Sequence, residues 1–284
     1  MEPVAVSSPG VSSTVDVVEI SATPASLRTW LAGMWGHRAV LSILARKDFQ
    51  VRYKRASLGV LWAVAVPLLQ AAVLAVVFSH IVKVPTSVPF GPFVFAGTVA
   101  WSYFASVTGT SVSTIVDGAG LTDKVWFPRA ILAVVPCLAS LVGFGISVLA
   151  LLVIAPVLGA PLTAWLFVLV PATLLLFAFT TALALVLSAL DVYFRDVKYL
   201  TAAALLVWMY ATPVVYPQSA LGSAGRWLDF NPMTGIVELF HLAVLGPFED
   251  WHRAVLVTVV ATIVLFAAGI EAHRRLDRLF VDLL

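Results

Sequence analysis

Glu238 and His241 stand three residues apart in an apolar stretch, so on a helix they would share one face and could exchange a proton. An ionisable group at membrane depth is a functional candidate by default. At an aqueous boundary the same carboxylate is an ordinary solvated group, and the sequence leaves both readings open. Asp191 and Arg195, four apart, would pair with each other on a helix. Two aromatic groups offer a different chemistry: Trp101, Tyr103 and Phe104, and then Trp208, Tyr210 and Tyr216. Rings stack on the C–H faces of sugars, and a lined path matters because a hydroxyl stripped of partners in hydrocarbon costs roughly 4–8 kcal/mol. The alternative is a belt of interfacial aromatics, which any membrane protein carries.

Other chemistry is missing. There is no GxxxxGK[ST] phosphate loop, no GxGxxG, no HExxH and no Asp/Asn-rich calcium loop, so the chain is not expected to bind ATP or a metal by itself. His37, His80, His241, His252 and His273 are dispersed, with no pair at metal-ligand spacing. Cys137, the single cysteine, excludes an internal disulfide and reads as a small core residue. The acids on the expected outer side are Asp229, Glu238, Glu249 and Asp250, and no two have a spacing that suggests a catalytic pair.

The elements that would position these groups are set by composition. Of 284 residues, 61% are hydrophobic and only 11% are Asp, Glu, Lys or Arg, with a mean hydropathy of +1.01. A soluble domain is nearer one quarter charged, so the solvent of this chain is lipid. The net charge of +2 argues against a nucleic-acid partner. A bilayer crossing takes about 20 residues, and the charges leave room for six spans, near residues 58–82, 93–116, 130–157, 164–190, 199–215 and 254–270. The 61 residues between Arg129 and Asp191 carry no charge and must hold two spans turned at Leu158-Gly159-Ala160-Pro161. The first 26 residues lack the basic and apolar regions of a secretory signal, which keeps the amino terminus in the cytoplasm. That orientation places fourteen Lys and Arg inside and only Lys83, Arg226 and Arg253 outside, with both termini cytoplasmic.

The expected organisation is a flexible cytoplasmic tail (1–30), an amphipathic interface helix (31–57) and a six-span domain (58–284). In the interface segment Val40, Leu41, Leu44 and Val51 fall within an arc of about 100°, with Ile43 and Phe49 off it. Its basic excess suits anionic headgroups or a plain positive flank. Between spans five and six, Pro213 and Pro217 end one helix and Asn231-Pro232 begins another apolar segment, 233–245, too short to cross and therefore re-entrant or interfacial.

The stretch Leu44-Ala45-Arg46-Lys47-Asp48-Phe49-Gln50-Val51-Arg52-Tyr53-Lys54-Arg55, with Gly59, Trp62 and Pro67-Leu68 after it, resembles the membrane subunit of polysaccharide-exporting ABC transporters, the O-antigen, teichoic acid, capsule and galactan export permeases. Phe95-Ala96-Gly97, Lys124-Val125-Trp126-Phe127-Pro128-Arg129, Phe194-Arg195-Asp196-Val197, Thr212-Pro213-Val214-Val215-Tyr216-Pro217 and Asn231-Pro232-Met233-Thr234 follow in that family's order. The resemblance covers residues 40 to 280 and implies an all-α integral membrane protein, the membrane domain of a type-2 ABC exporter. It would have an interface helix, six transmembrane helices and short re-entrant helices before the last span. It implies a homodimeric channel in the cytoplasmic membrane, served by two ATPase subunits that bind the ATP and magnesium, with no cofactor in this chain and a lipid-linked polysaccharide as cargo.

On that resemblance Arg46, Lys47, Asp48, Arg52, Asp123, Lys124, Phe127, Pro128 and Arg129 would couple to the ATPase. Trp101, Tyr103, Phe104, Arg195, Trp208, Tyr210, Tyr216 and Glu238 would line the substrate pathway. Lys124, Arg129, Arg195 and Lys198 would meet the pyrophosphate of the lipid-linked glycan, or serve only as positive-inside anchors. Competing readings are an exporter of drugs or small lipids of the same superfamily, a membrane glycosyltransferase, and a proton-driven transporter with Glu238 as its carboxylate.

Overall fold

The computed structural model describes residues 26–54, 56–82, 87–122, 126–161 and 163–276, and every regular element within them is helical. The tail expected over 1–30 falls almost wholly outside the described residues, as do Asp123 and Lys124.

Ser26 caps α1 (Leu27–Gly36) by accepting the Thr29 N–H at 3.2 Å. The interface segment, expected as one helix, is two: the chain turns at His37 before α2 (Arg38–Tyr53). Val40, Leu41 and Leu44 pack inward as their spacing requires. Val51 does not, being 72% exposed. The end of α2 instead turns Arg52 inward, toward α7 (Ala130–Val157), and Phe49 sits half-buried with its ring 5.2 Å from that of Tyr53.

Among the described residues, five stretches are long and apolar enough to cross a membrane: Gly59–Val82, Phe90–Ser111, Ala130–Val157, Ala164–Tyr193 and His252–Arg275. They are built from α3 (Trp62–Val76) and the π-helical turn Val77–Val82, α4 (Phe90–Ser111), α7, α8 (Leu169–Tyr193) and α11 (His252–Leu276). Two single turns, α5 (Thr114–Asp117) and α6 (Ala119–Thr122), follow α4. The span expected over 199–215 is shorter in the structure. Its helix is α9 (Val197–Tyr210), 14 residues, about 21 Å against the roughly 30 Å of a hydrocarbon core. Pro213 offers no N–H and disfavours helical backbone at Thr212, so the chain leaves the helix at Ala211 and enters a turn.

α4 is the axis of the bundle. In its most apolar stretch 72% of residues are buried, against 11% for the α3 stretch at the periphery. The other central element is α10 (Pro232–Leu245), whose residues from Met233 to Leu245 are all buried. It starts as its sequence dictates: Pro232 needs no N–H in the first turn, and Asn231 Oδ1 accepts the Met233 N–H at 3.0 Å. Gly235 lets α11 approach closely, since a Cβ there would stand 2.5 Å from the Ala254 carbonyl oxygen. Thr258 Oγ1 closes that seam by donating to the Pro232 carbonyl at 2.6 Å.

Candidate functional site

At one end of the bundle α2 and the segment after α6 form a single packed unit. Phe127, 4% exposed, clusters with Ile115, Ile131, Leu132, Val135 and Val192, and Val40, Leu41 and Leu44 of α2 pack against that cluster. Pro128 is buried and its carbonyl accepts the Ile131 N–H at 3.0 Å, so the Phe-Pro-Arg turn runs straight into the first turn of α7. Trp126 is exposed and lies edge-on to His37, ring centroids 5.5 Å apart, at the junction of α1 and α2. Of the residues expected to couple to an ATPase, Arg46 and Lys47 are exposed, Arg129 stands at the N-terminus of α7, and Asp48 holds Arg52 at 3.0 Å.

Arg52 faces away from the surface. Its Nη1 donates to Ser140 Oγ on α7 at 3.1 Å. The guanidinium borders a cavity of about 330 Å³ shared by α2, α3, α4 and α7, with Ser102, Ser106, Ser140 and Ser147 on its walls. These serines were not singled out from the sequence, although Ser102 and Ser106, four apart, share a helix face.

Trp101, Tyr103 and Phe104, expected along a substrate pathway, lie inside the bundle. All three are buried, at 4%, 5% and 0% exposure. The Tyr103 hydroxyl donates to the Cys137 carbonyl at 2.8 Å, and Phe104 packs against Phe179 and Trp208 with centroids 5.8 and 5.2 Å away. Trp101 and Phe104 are packed between helices, whereas Tyr103 also borders the cavity beside Arg52. Trp208 is half-buried and donates through Nε1 to Asn231 Oδ1 at 2.8 Å, while Asn231 Nδ2 donates to the Ala211 carbonyl at 2.8 Å. Tyr210 is exposed, and the Tyr216 hydroxyl donates to its carbonyl at 2.7 Å.

Glu238 is 3% exposed and His241 fully buried, which overturns the solvated-boundary reading of the carboxylate. His241 Nε2 donates to the Phe93 carbonyl at 3.1 Å, its ring stacks on Phe93, and Nδ1 lies 3.9 Å from the Glu238 carboxylate. The pairing of Asp191 with Arg195 does not form. Asp191 Oδ1 accepts the Lys198 backbone N–H at 3.2 Å, bridging to the start of α9, and Arg195 is exposed. The Lys198 ammonium lies over the Tyr199 ring at 5.1 Å.

The far end of the bundle is set by α11, which runs from the Asp250 loop to Ala272 in the Phe127 cluster. There the 3₁₀ segment Gln218–Phe230 and the loop before α11 flank an open cleft of about 530 Å³ that brings Asp229, Glu249 and Asp250 together. Sequence spacing gave no signal for this, because the acids meet across about twenty residues with no shared periodicity. Asp250 Oδ1 bonds the His252 ring nitrogen at 3.0 Å, which holds its carboxyl below the ordinary range.

Residues 39–245 match the family described as ABC-2 type transporter. The chain is 29% identical over 242 residues, 83% of this chain and 92% of the relative, to the O-antigen export system permease protein RfbA of Myxococcus xanthus. Two proteins of the same description from Klebsiella pneumoniae are each 24% identical over 252 residues, covering 86% of this chain and 95% of the relative.

Proposed function

The chain belongs to the ABC-2 type transporter family and is an integral membrane protein, and on that premise we propose that it is the membrane-spanning subunit of an exporter of a lipid-linked polysaccharide. The cargo class is an O-antigen, galactan or teichoic-acid-like polymer. The observation that carries this reading is the match to permeases named for O-antigen export over nearly the whole of both chains. The chain has no phosphate loop, so ATP and magnesium bind two partner ATPase subunits, and this subunit is not an enzyme and needs no cofactor of its own.

Two copies form the channel in the cytoplasmic membrane. The large apolar residues that α9 leaves exposed, among them Leu206, Val207 and Tyr210, suit a face toward the second copy or lipid. α9 with the turn at 211–217 serves as the fifth of six spans, and the 218–230 segment with α10 forms the re-entrant pair before the last. The ATPase docks on the end carrying Arg46 and Lys47, on the cytoplasmic side with both termini, and its closure reaches α7 through α2 and the Phe127 turn.

The test is mass spectrometry of lipid-linked glycans after depletion of the chain, with and without its restoration. Inner-leaflet accumulation of completed polymer, reversed on restoration, is the expected result. Arrest at a short intermediate would favour a glycosyltransferase instead, and an unchanged pool would move the cargo to drugs or small lipids.

A further inference from the structure

The cavity between the 218–230 segment and the loop before α11 holds charges that the protein itself does not match. Asp229 is only 8% exposed, lines the cavity, and has no hydrogen-bond or ion-pair partner among the described residues. Arg226 and Arg253 line the same space, and among the described residues neither lies within ion-pair distance of a carboxylate. Arg253 lies over the Phe230 ring at 5.1 Å. Gln218 Nε2 is shut off from bulk water and makes no hydrogen bond. The Gln218 amide nitrogen is thus buried without a partner, and the Asp229 carboxylate, which keeps contact with the water of the cleft, has no partner in the protein, so both are open to a ligand from that side.

The walls are fixed in place. Glu249 accepts the backbone N–H groups of Gln218 at 3.1 Å and Ser219 at 2.9 Å, which ties the loop to the start of the 3₁₀ segment. The segment kinks at Gly222, where φ is +57°, and Gly225 lets it pack closely, because a Cβ there would lie 2.4 Å from the Gln218 carbonyl oxygen. At about 530 Å³ the space lies within the roughly 300–1,000 Å³ of small-molecule sites.

The mixture of charges selects the ligand. A cation would meet two guanidinium groups, and among the described residues no three acids or histidines are grouped to hold a metal. An anion would meet Asp229, Glu249 and Asp250. A neutral polyhydroxylated molecule satisfies both sets: its hydroxyls donate to Asp229 and accept from Arg226 and Gln218, while a C–H face lies on Phe248. We propose that this cavity is a saccharide-binding subsite that engages sugar units of the polymer beside the outer end of the bundle. The proposal rests on the export reading for the origin of its ligand.

The test is saturation-transfer NMR on the purified full-length chain in lipid nanodiscs, with the methyl glycosides of glucose, galactose, mannose and rhamnose as probes. Transfer to at least one glycoside is expected, with binding about tenfold weaker in Asp229→Asn and in Arg226→Ala, both checked for unchanged thermal melting. No transfer to any probe, or transfer undiminished in both variants, overturns the subsite, as does a signal only with the zwitterion phosphocholine. Surface polymer is measured separately in cells depleted of the chain. Export that needs the chain without glycoside binding sinks the subsite alone, and glycoside binding with normal export after depletion sinks the export reading alone.

Discussion

Arg52 on α2 and Ser140 on α7 are joined by a 3.1 Å hydrogen bond, and Asp48 holds the other arm of the same guanidinium at 3.0 Å. A helix that sequence places at the membrane surface is thereby fastened to the middle of a spanning helix. Lysine cannot supply both arms in this fork. Arg52→Lys and Arg52→Ala are therefore both expected to loosen α2, by about 1–2 kcal/mol for the lost charge-assisted bond. Hydrogen exchange of the α2 amides checks this, and export measured in the same strains should fall while membrane insertion is kept. Unchanged α2 protection in both variants would show that the bond does not fasten the helix.

Phe127 belongs to the same unit, buried in the cluster against which Val40, Leu41 and Leu44 of α2 pack. Phe127→Ala should remove about 3 kcal/mol of packing there and uncouple export from ATP hydrolysis by the assembled transporter, whereas Phe127→Leu should retain most of both. The ratio of polymer exported to ATP hydrolysed is the informative readout. A normal ratio in Phe127→Ala would mean that closure of the ATPase reaches α7 by another route.

The long apolar runs were legible because charge at their ends fixes them. The stretch 130–157 can be read directly between Arg129 and the Gly159 turn, and α7 occupies it. The start of α10 was equally plain at Asn231-Pro232. What sequence could not supply was the facing of side chains on helices that are apolar all round. Trp101, Tyr103 and Phe104 project in different directions from α4, and with most of that helix buried no periodicity separates a lining ring from a packed one. Val51 has the spacing of the buried face of α2 and is nevertheless exposed, at the end of the helix where Arg52 reaches Ser140. The meeting of Asp229 with Glu249 depends on the 218–230 segment kinking at Gly222, where φ is +57°, and packing closely at Gly225; a glycine marks such a turn but does not say which distant loop it will face.

Glu238 separates an ATP-driven machine from a proton-driven one. Glu238→Gln keeps the size of the side chain beside His241 and removes its ionisable carboxyl. Export at the wild-type rate is expected, with the dependence on external pH unchanged. A loss of export in Glu238→Gln, with ATP hydrolysis intact, would make the carboxylate part of transport itself.

Gly235 tests whether α10 must seat against α11 for the bundle to hold. The position has no room: a Cβ would stand 2.5 Å from the Ala254 carbonyl oxygen and 2.4 Å from Thr258 Oγ1. Backbone cannot swing away as a flexible side chain can, so Gly235→Ala must part the two helices and strain the Thr258 bond to Pro232. Overpacking of this kind costs about 1–3 kcal/mol, and Gly235→Val should cost more. Thermal melting of the purified chain in nanodiscs should fall in that order. Because α10 also carries Glu238 and His241 and follows the cavity-forming segment, export should decline in step with stability. A Gly235→Ala protein that melts like the wild type would mean that α10 and α11 are free to separate.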